Sequence, residues 1–148
     1  MTLVEVDTVI DAPVEVVWQV MLDLDNYPRW NPFIVRIERP GGRPARVGDT
    51  LNLHVRFRNG QTNTSRERIS RIEAPAVLEY GYIGWLHRIG LLHGSRIQRL
   101  EPAGTGTLYH TEELLRGPLR SVVFKGVRDG FRRHAAALKE HAESLAAR

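Results

Sequence analysis

Between Phe33 and Leu115 the chain offers six strand-like runs in succession, with no long helical pattern among them. The runs are Phe33 to Glu38, Leu51 to Phe57, the stretch after Asn59-Gly60 to about Glu73, Val77 to Gly84, Leu91 to Glu101, and Thr107 to Leu115. Their connections are short and rich in Gly, Pro and Asn, so consecutive strands pair antiparallel. A sheet built this way has an inner face that must be covered. Only one later segment is available to cover it. From about Leu119 to Ala147, Val123, Phe124, Val127, Phe131, Ala135, Leu138, Ala142 and Leu145 recur at steps of three and four, the pattern of one long amphipathic helix. A curved sheet wrapped around one helix leaves a space between them, and such a space predicts a pocket.

Upstream, Val4, Val6, Thr8 and Ile10 alternate along a first strand. Asp11-Ala12-Pro13 then reads as a helix start with Asp11 as the capping carboxylate. Val14, Val17, Trp18 and Met21 mark the apolar face of that helix, which stops near Asp23. The turn-rich segment Asp25 to Pro32 carries Tyr27 and Trp30, and Pro102-Ala103-Gly104 is read as the turn into the last strand. At 148 residues, 42% of them hydrophobic, the chain supports one domain, residues 1–148. It contains no Cys, which excludes disulfides, a thiol nucleophile and thiolate metal sites. The N-terminus shows no signal-peptide pattern and no apolar run is long enough to span a bilayer, so a cytoplasmic location without stable membrane insertion is expected.

The hairpin at Asn59-Gly60 decides which side chains enter the pocket. A two-residue turn pairs Leu53 with Arg66 and Leu51 with Arg68, placing two arginines on the apolar face. A three-residue loop with Gly60 in the left-handed position pairs Leu53 with Ser65 and Leu51 with Glu67. Burying one carboxyl is less costly than burying two guanidiniums, so the bulged loop is expected. His54, Arg56, Arg66 and Arg68 then share the outer surface.

Val9-Ile10-Asp11-Ala12-Pro13-Val14-Glu15-Val16-Val17-Trp18, followed by Leu24-Asp25-Asn26-Tyr27-Pro28-Arg29-Trp30-Asn31-Pro32-Phe33, resembles the opening of the START/Bet v 1-like (SRPBCC) superfamily. The nearest likeness is to its polyketide cyclase/dehydrase and lipid-transport branch. Pro75 to Tyr80 and the Gly104 to Gly117 segment agree with it, and the resemblance covers the whole chain. It implies an α+β helix-grip fold: a seven-stranded curved antiparallel sheet around a long C-terminal helix, with short helices after strand 1. It also implies a cavity that takes a lipid, polyketide, hormone or quinone. Where such sequences often carry His and then an apolar residue two positions on, this chain has Arg96 and Gln98, which makes the cavity more polar.

On that alignment Tyr80, Tyr82, Arg96, Gln98, Tyr109, Thr111 and Glu113 point inward, facing Phe124 and Phe131 from the helix. Arg96 and Glu113 fall on adjacent strands, either as a charge-assisted pair inside the cavity or as a rim salt bridge. Leu53, Val55, Phe57 and Val127 add apolar area. Trp30, Ile34 and Trp85 are candidates for the pocket entrance, although Trp30 also suits a core anchor. The apolar segment around Trp85 reads as a lid, a membrane-touching tip, or a loop buried under its neighbours or in a dimer contact. The six histidines lack ligand spacing and are expected at the surface, without a metal, and no cofactor motif is present.

Three functions follow. The first is a protein, monomeric or homodimeric, that encloses a hydrophobic or aromatic small molecule. The second is a polyketide cyclase or dehydratase in which Glu113 moves protons and Arg96 stabilises a developing enolate or binds a carboxylate. The third is an interaction module whose basic sheet surface, Arg56, Arg66 and Arg68, meets an acidic partner. Of the 21 basic residues 19 are Arg, but they are scattered and lack the aromatic stripe or reading helix that nucleic acid requires.

Overall fold

A computed structural model describes residues 1–148. The strands are β1 (Thr2–Ile10), β2 (Ile34–Glu38), β3 (Thr50–Arg56), β4 (Thr62–Glu73), β5 (Val77–Tyr82), β6 (His93–Ala103) and β7 (Gly106–Arg116). Helix α1 (Val14–Leu22) and a 3₁₀ segment (Leu24–Arg29) separate β1 from β2, the single turn α2 (Trp85–Arg88) separates β5 from β6, and α3 (Arg120–Ala146) ends the chain. All seven strands form one antiparallel sheet in the order β1-β7-β6-β5-β4-β3-β2. This is the helix-grip fold expected from the sequence. No helix is long and apolar enough to cross a membrane.

The β3–β4 hairpin adopts the bulged loop. Phe57 N–H donates to Gln61 O (2.8 Å), Gly60 N–H donates to Phe57 O (2.9 Å), and Gly60 sits at φ +87°. Leu53 is therefore opposite Ser65 and Leu51 opposite Glu67, with Glu67 buried. Arg56, Arg66 and Arg68 are exposed on the outer face and form no ion pair.

Two local expectations are corrected. Asp11 does not cap α1: Pro13 occupies the cap position in an extended conformation (ψ 152°), and its carbonyl accepts from Val16 and Val17. The Asp11 backbone N–H instead donates to Glu143 of α3 (2.8 Å), tying the end of β1 to the last turns of that helix. Pro102 does not turn the chain. β6 continues through Pro102 to Ala103, paired with β7, because β5 has already ended on its other flank and no partner there needs the missing N–H. Gly104, at φ +62°, makes the turn.

Helix α3 meets the sheet unevenly. Gly130, Phe131, His134, Ala135, Leu138 and Ala142 are buried, whereas no residue from Arg120 to Asp129 is. Two glycines inside this helix are explained by ring packing. A Cβ on Gly130 would lie 2.3 Å from the Phe33 ring, and one on Gly126 would lie 3.1 Å from that of Phe57. Helix propensity is given up here so that the aromatic rings can lie against the backbone.

The expectation that every histidine is exposed fails at His134, which is fully buried. Its partner is Asn31. The Asn31 Oδ1 accepts from the backbone N–H groups of Phe33 and Ile34 (2.9 Å each), which fixes the amide so that Nδ2 donates to His134 Nδ1 (3.1 Å). The imidazole proton then resides on Nε2, which has no partner. Burial, and secondarily the charge of Arg96, hold the His134 pKa well below its ordinary value of 6.5. The turn before β2 is thereby bolted to the middle of α3.

Asn31→Ala removes the acceptor for two backbone N–H groups and the donor to His134 in one step. It is expected to destabilise the protein by about 3 kcal/mol, read from the denaturation midpoint with the slope unchanged.

Candidate ligand-binding site

Because α3 seats only its second half, a cavity of about 370 Å³ remains between its first half and the concave face of the sheet. Leu53, Val55 and Phe57 line one wall, Tyr80 and Tyr82 the next, and Val127 and Phe131 descend from α3. Arg96 and Glu113 reach the lining from β6 and β7. Trp85 lies at the mouth, where Asn63 and Thr64 of β4 are also exposed. Trp85 is 68% exposed and neighbouring Ile89 59%, so the α2 segment is neither buried under other loops nor covered within this chain. Tyr82 shapes it: its ring occupies the place of a Cβ on Gly84, and its hydroxyl accepts from the Leu86 N–H (3.3 Å).

Six candidates are placed differently from the expectation. Ile34 does line the cavity, but as a buried wall residue instead of a rim. Phe124, half-buried, is not part of the lining: it flanks Arg128 (5.1 Å) one turn before the helix reaches the sheet. Trp30 is away from the mouth, stacked on His141 (5.9 Å) and packed against Tyr27 and His134 as an anchor of the opening motif. Gln98, Tyr109 and Thr111 are buried behind the cavity, where they hold Arg96.

That support is specific. Arg96 Nε donates to Thr111 Oγ1 (2.9 Å), Nη1 to the Tyr80 hydroxyl (3.1 Å) and Nη2 to the Tyr109 hydroxyl (3.3 Å). Tyr109 in turn donates to Gln98 Oε1 (2.6 Å). The guanidinium carbon lies 3.9 Å from the centre of the Phe131 ring, a cation–π contact that covers one of its faces. Burial opposes the charge, but the Tyr80 and Tyr109 hydroxyls and the Glu113 carboxyl outweigh it, and the guanidinium stays ionised. Burial raises the Tyr80 hydroxyl to about 12.

The expected Arg96–Glu113 ion pair does not form, although the two residues are directly opposite. The guanidinium turns toward the hydroxyls at 109 and 111, while the Glu113 carboxyl turns the other way along the strand, toward Gly94. A Cβ on Gly94 would lie 2.7 Å from Glu113 Oε1, so the glycine provides the room.

Glu67 was not among the candidates and is the site's main addition. It lines the cavity beside Glu113 and is almost fully buried, with one oxygen accepting from the Ser65 hydroxyl. The hairpin register carried the signal, since it turned Glu67 toward the apolar face. Burial, and then repulsion from Glu113, push the Glu67 pKa well above its ordinary 4.5, against the Ser65 hydrogen bond and Arg96. Burial likewise raises Glu113, with Arg96 opposing.

The fold and this partly ionisable cavity define a helix-grip protein of the Bet v 1-like class. A sequence model of the family described as polyketide cyclase / dehydrase and lipid transport matches residues 1–143, and the chain belongs to that family. No curated protein matches the sequence significantly. Among solved structures, the chain is similar to the ginseng major latex-like protein 151 from Panax ginseng, with a TM-score of 0.79 and 13% identity over 95% of this chain and 97% of that one. It is similar to Ara h 8.0201 with a TM-score of 0.74 and 18% identity, covering 97% and 98%. It also resembles the di-domain ARO/CYC BexL from the BE-7585A biosynthetic pathway (TM-score 0.76, 16% identity, 96% of this chain). The chain spans about half the length of that di-domain protein, 50%.

Because the folded state holds protons on Glu67 and Glu113 that the unfolded chain releases above about pH 4.5, these carboxyls lower stability as pH rises from there toward neutrality. Glu67→Gln removes one such group. Its stability relative to the unaltered chain is expected to be similar at pH 5 and higher at pH 8, by about 1–3 kcal/mol, measured by urea denaturation at each pH.

Proposed function

We propose that the protein encloses a hydrophobic or aromatic small molecule in the cavity under α3, to carry or sequester it. One observation carries this reading. The cavity has apolar walls, falls within the roughly 300–1,000 Å³ of small-molecule sites, and has ionisable groups at its floor that packing alone does not call for. A buried charge set of this kind seldom adds stability over apolar side chains of similar volume. Leu53, Val55, Phe57, Val127 and Phe131 give the ligand apolar contact, while Tyr80, Tyr82, Arg96 and Glu113 orient its polar end. Arg96 does so on a mount built by Gln98, Tyr109 and Thr111. Native mass spectra of gently purified protein are expected to show a co-purifying hydrophobic mass. Val127→Trp fills the cavity from the half-buried part of α3, and it is expected to abolish that mass while leaving the far-UV circular dichroism unchanged. Retention of the mass by a folded Val127→Trp protein places the ligand elsewhere.

A second reading, cyclase or dehydratase chemistry, is favoured by Glu113 specifically. Its carboxyl accepts no protein hydrogen bond, faces the cavity and titrates above the usual range, as a proton-transfer group requires. With a polyketide-like substrate, Glu113→Gln is expected to lower kcat about 100-fold or more with little change in KM. Unchanged turnover removes Glu113 from the chemistry.

A further inference from the structure

Carboxyl oxygens make up the larger share of the cavity's unsatisfied hydrogen-bonding capacity. Each of the three Arg96 nitrogens already donates to a protein hydroxyl, which leaves one N–H on Nη1 and one on Nη2, and Phe131 covers one face of the guanidinium. By contrast, Glu113 has no hydrogen-bond partner, and Glu67 has only the Ser65 hydroxyl on one oxygen. Three carboxyl oxygens in an apolar cavity thus lack a donor from the protein. The strands bring these two carboxyls together with aromatic faces. Glu67 is opposite Tyr82, Glu113 is opposite Arg96, and Arg96 is opposite Tyr80. No residue from α2 or α3 contributes a charge to the lining. Arg66 borders it, but between Ser65 and Glu67 on β4 its side chain points to the outer face.

Resting on the reading that the cavity binds a small molecule, we propose that the ligand is an amphiphile whose polar end is a protonated amine, held by Glu67 and Glu113 and flanked by the tyrosine rings. An ammonium group brings several N–H donors to the three free carboxyl oxygens, and its charge lets both carboxyls give up their protons beside a single guanidinium. The aromatic walls add cation–π attraction on the remaining sides. A carboxylate ligand gives these carboxyls no reason to ionise: they must keep their protons or meet it as like charges, and the guanidinium beside them is already bound to three hydroxyls. A neutral alcohol gains hydrogen bonds but no charge balance.

Three probes of nearly one shape separate these cases: 2-naphthylmethylamine, 2-naphthylmethanol and 2-naphthoate, titrated calorimetrically into the full chain near neutral pH. The amine is expected to bind about tenfold or more tightly than either other probe. Titration in two buffers of different ionisation heat is expected to show proton release on amine binding, as the ammonium drives the carboxyls to ionise. In the Glu67→Gln/Glu113→Gln variant the preference for the amine over the alcohol collapses. Equal or tighter binding of the alcohol or naphthoate, proton uptake with the amine, or an unchanged preference in the folded double variant overturns the proposal. The ranking and the proton count need only the unaltered chain, so a variant that fails to fold leaves the test standing. If the alcohol or naphthoate binds and the amine is not preferred, the amine assignment falls alone. If no probe binds, it falls together with the ligand-binding reading.

Discussion

One helix cannot cover seven strands. At about 4.8 Å between neighbours the sheet spans roughly 30 Å, whereas a helix with its side chains is about 10 Å wide. The sheet responds by curling, and α1 with the following 3₁₀ segment closes part of one end. Even so, α3 is buried only from Gly130 onward. The rest of the concave face has no secondary structure to pack against. It must stay wet, collapse, or hold something else. The cavity is thus what remains when a chain with a single long apolar helix folds a sheet of this width.

What occupies the floor of that space sets this chain apart from a merely under-filled core. Arg96 is held by three neutral hydroxyls and an aromatic ring instead of a counter-ion, so its position is fixed without consuming either nearby carboxylate. The cost of burying it is met by hydrogen bonds to Tyr109 and Thr111, which lie outside the cavity lining, and to Tyr80, which is part of it. Gln98 and Tyr109 therefore matter at one remove. Polar residues in the centre of a sheet's inner face are explained by the charge in front of them.

Much of this was legible in the residues. Strand alternation and the α3 periodicity define the architecture, and the choice between two burial costs at Asn59-Gly60 settles the β3–β4 register correctly. Side-chain direction was not legible. Arg96 and Glu113 were placed on adjacent strands, and they are directly opposite, yet strand pairing says nothing of which way along the strand each side chain leans. That depends on hydroxyls at 109 and 111 and on empty space above Gly94. His134 was missed because its histidine hides within an otherwise apolar face, and its burial depends on Asn31, 103 positions away. Trp30 illustrates the same point: an aromatic in a turn motif carries no mark of whether it borders a cavity or braces a helix.

The three-residue loop at Gly60 reaches further than the hairpin it closes. Side chains alternate, so the parity of that loop selects which set of β4 residues faces inward: Ser65 and Glu67, or Arg66 and Arg68. The register of β4 against β5 shifts between Ile69 and Arg71, so the pairing beyond that point is offset from the stretch that carries Glu67. Loss or gain of one residue in an exposed turn would therefore exchange an acidic cavity floor for a basic one without a single substitution in the cavity lining. In this fold, ligand polarity is as open to change by turn length as by substitution.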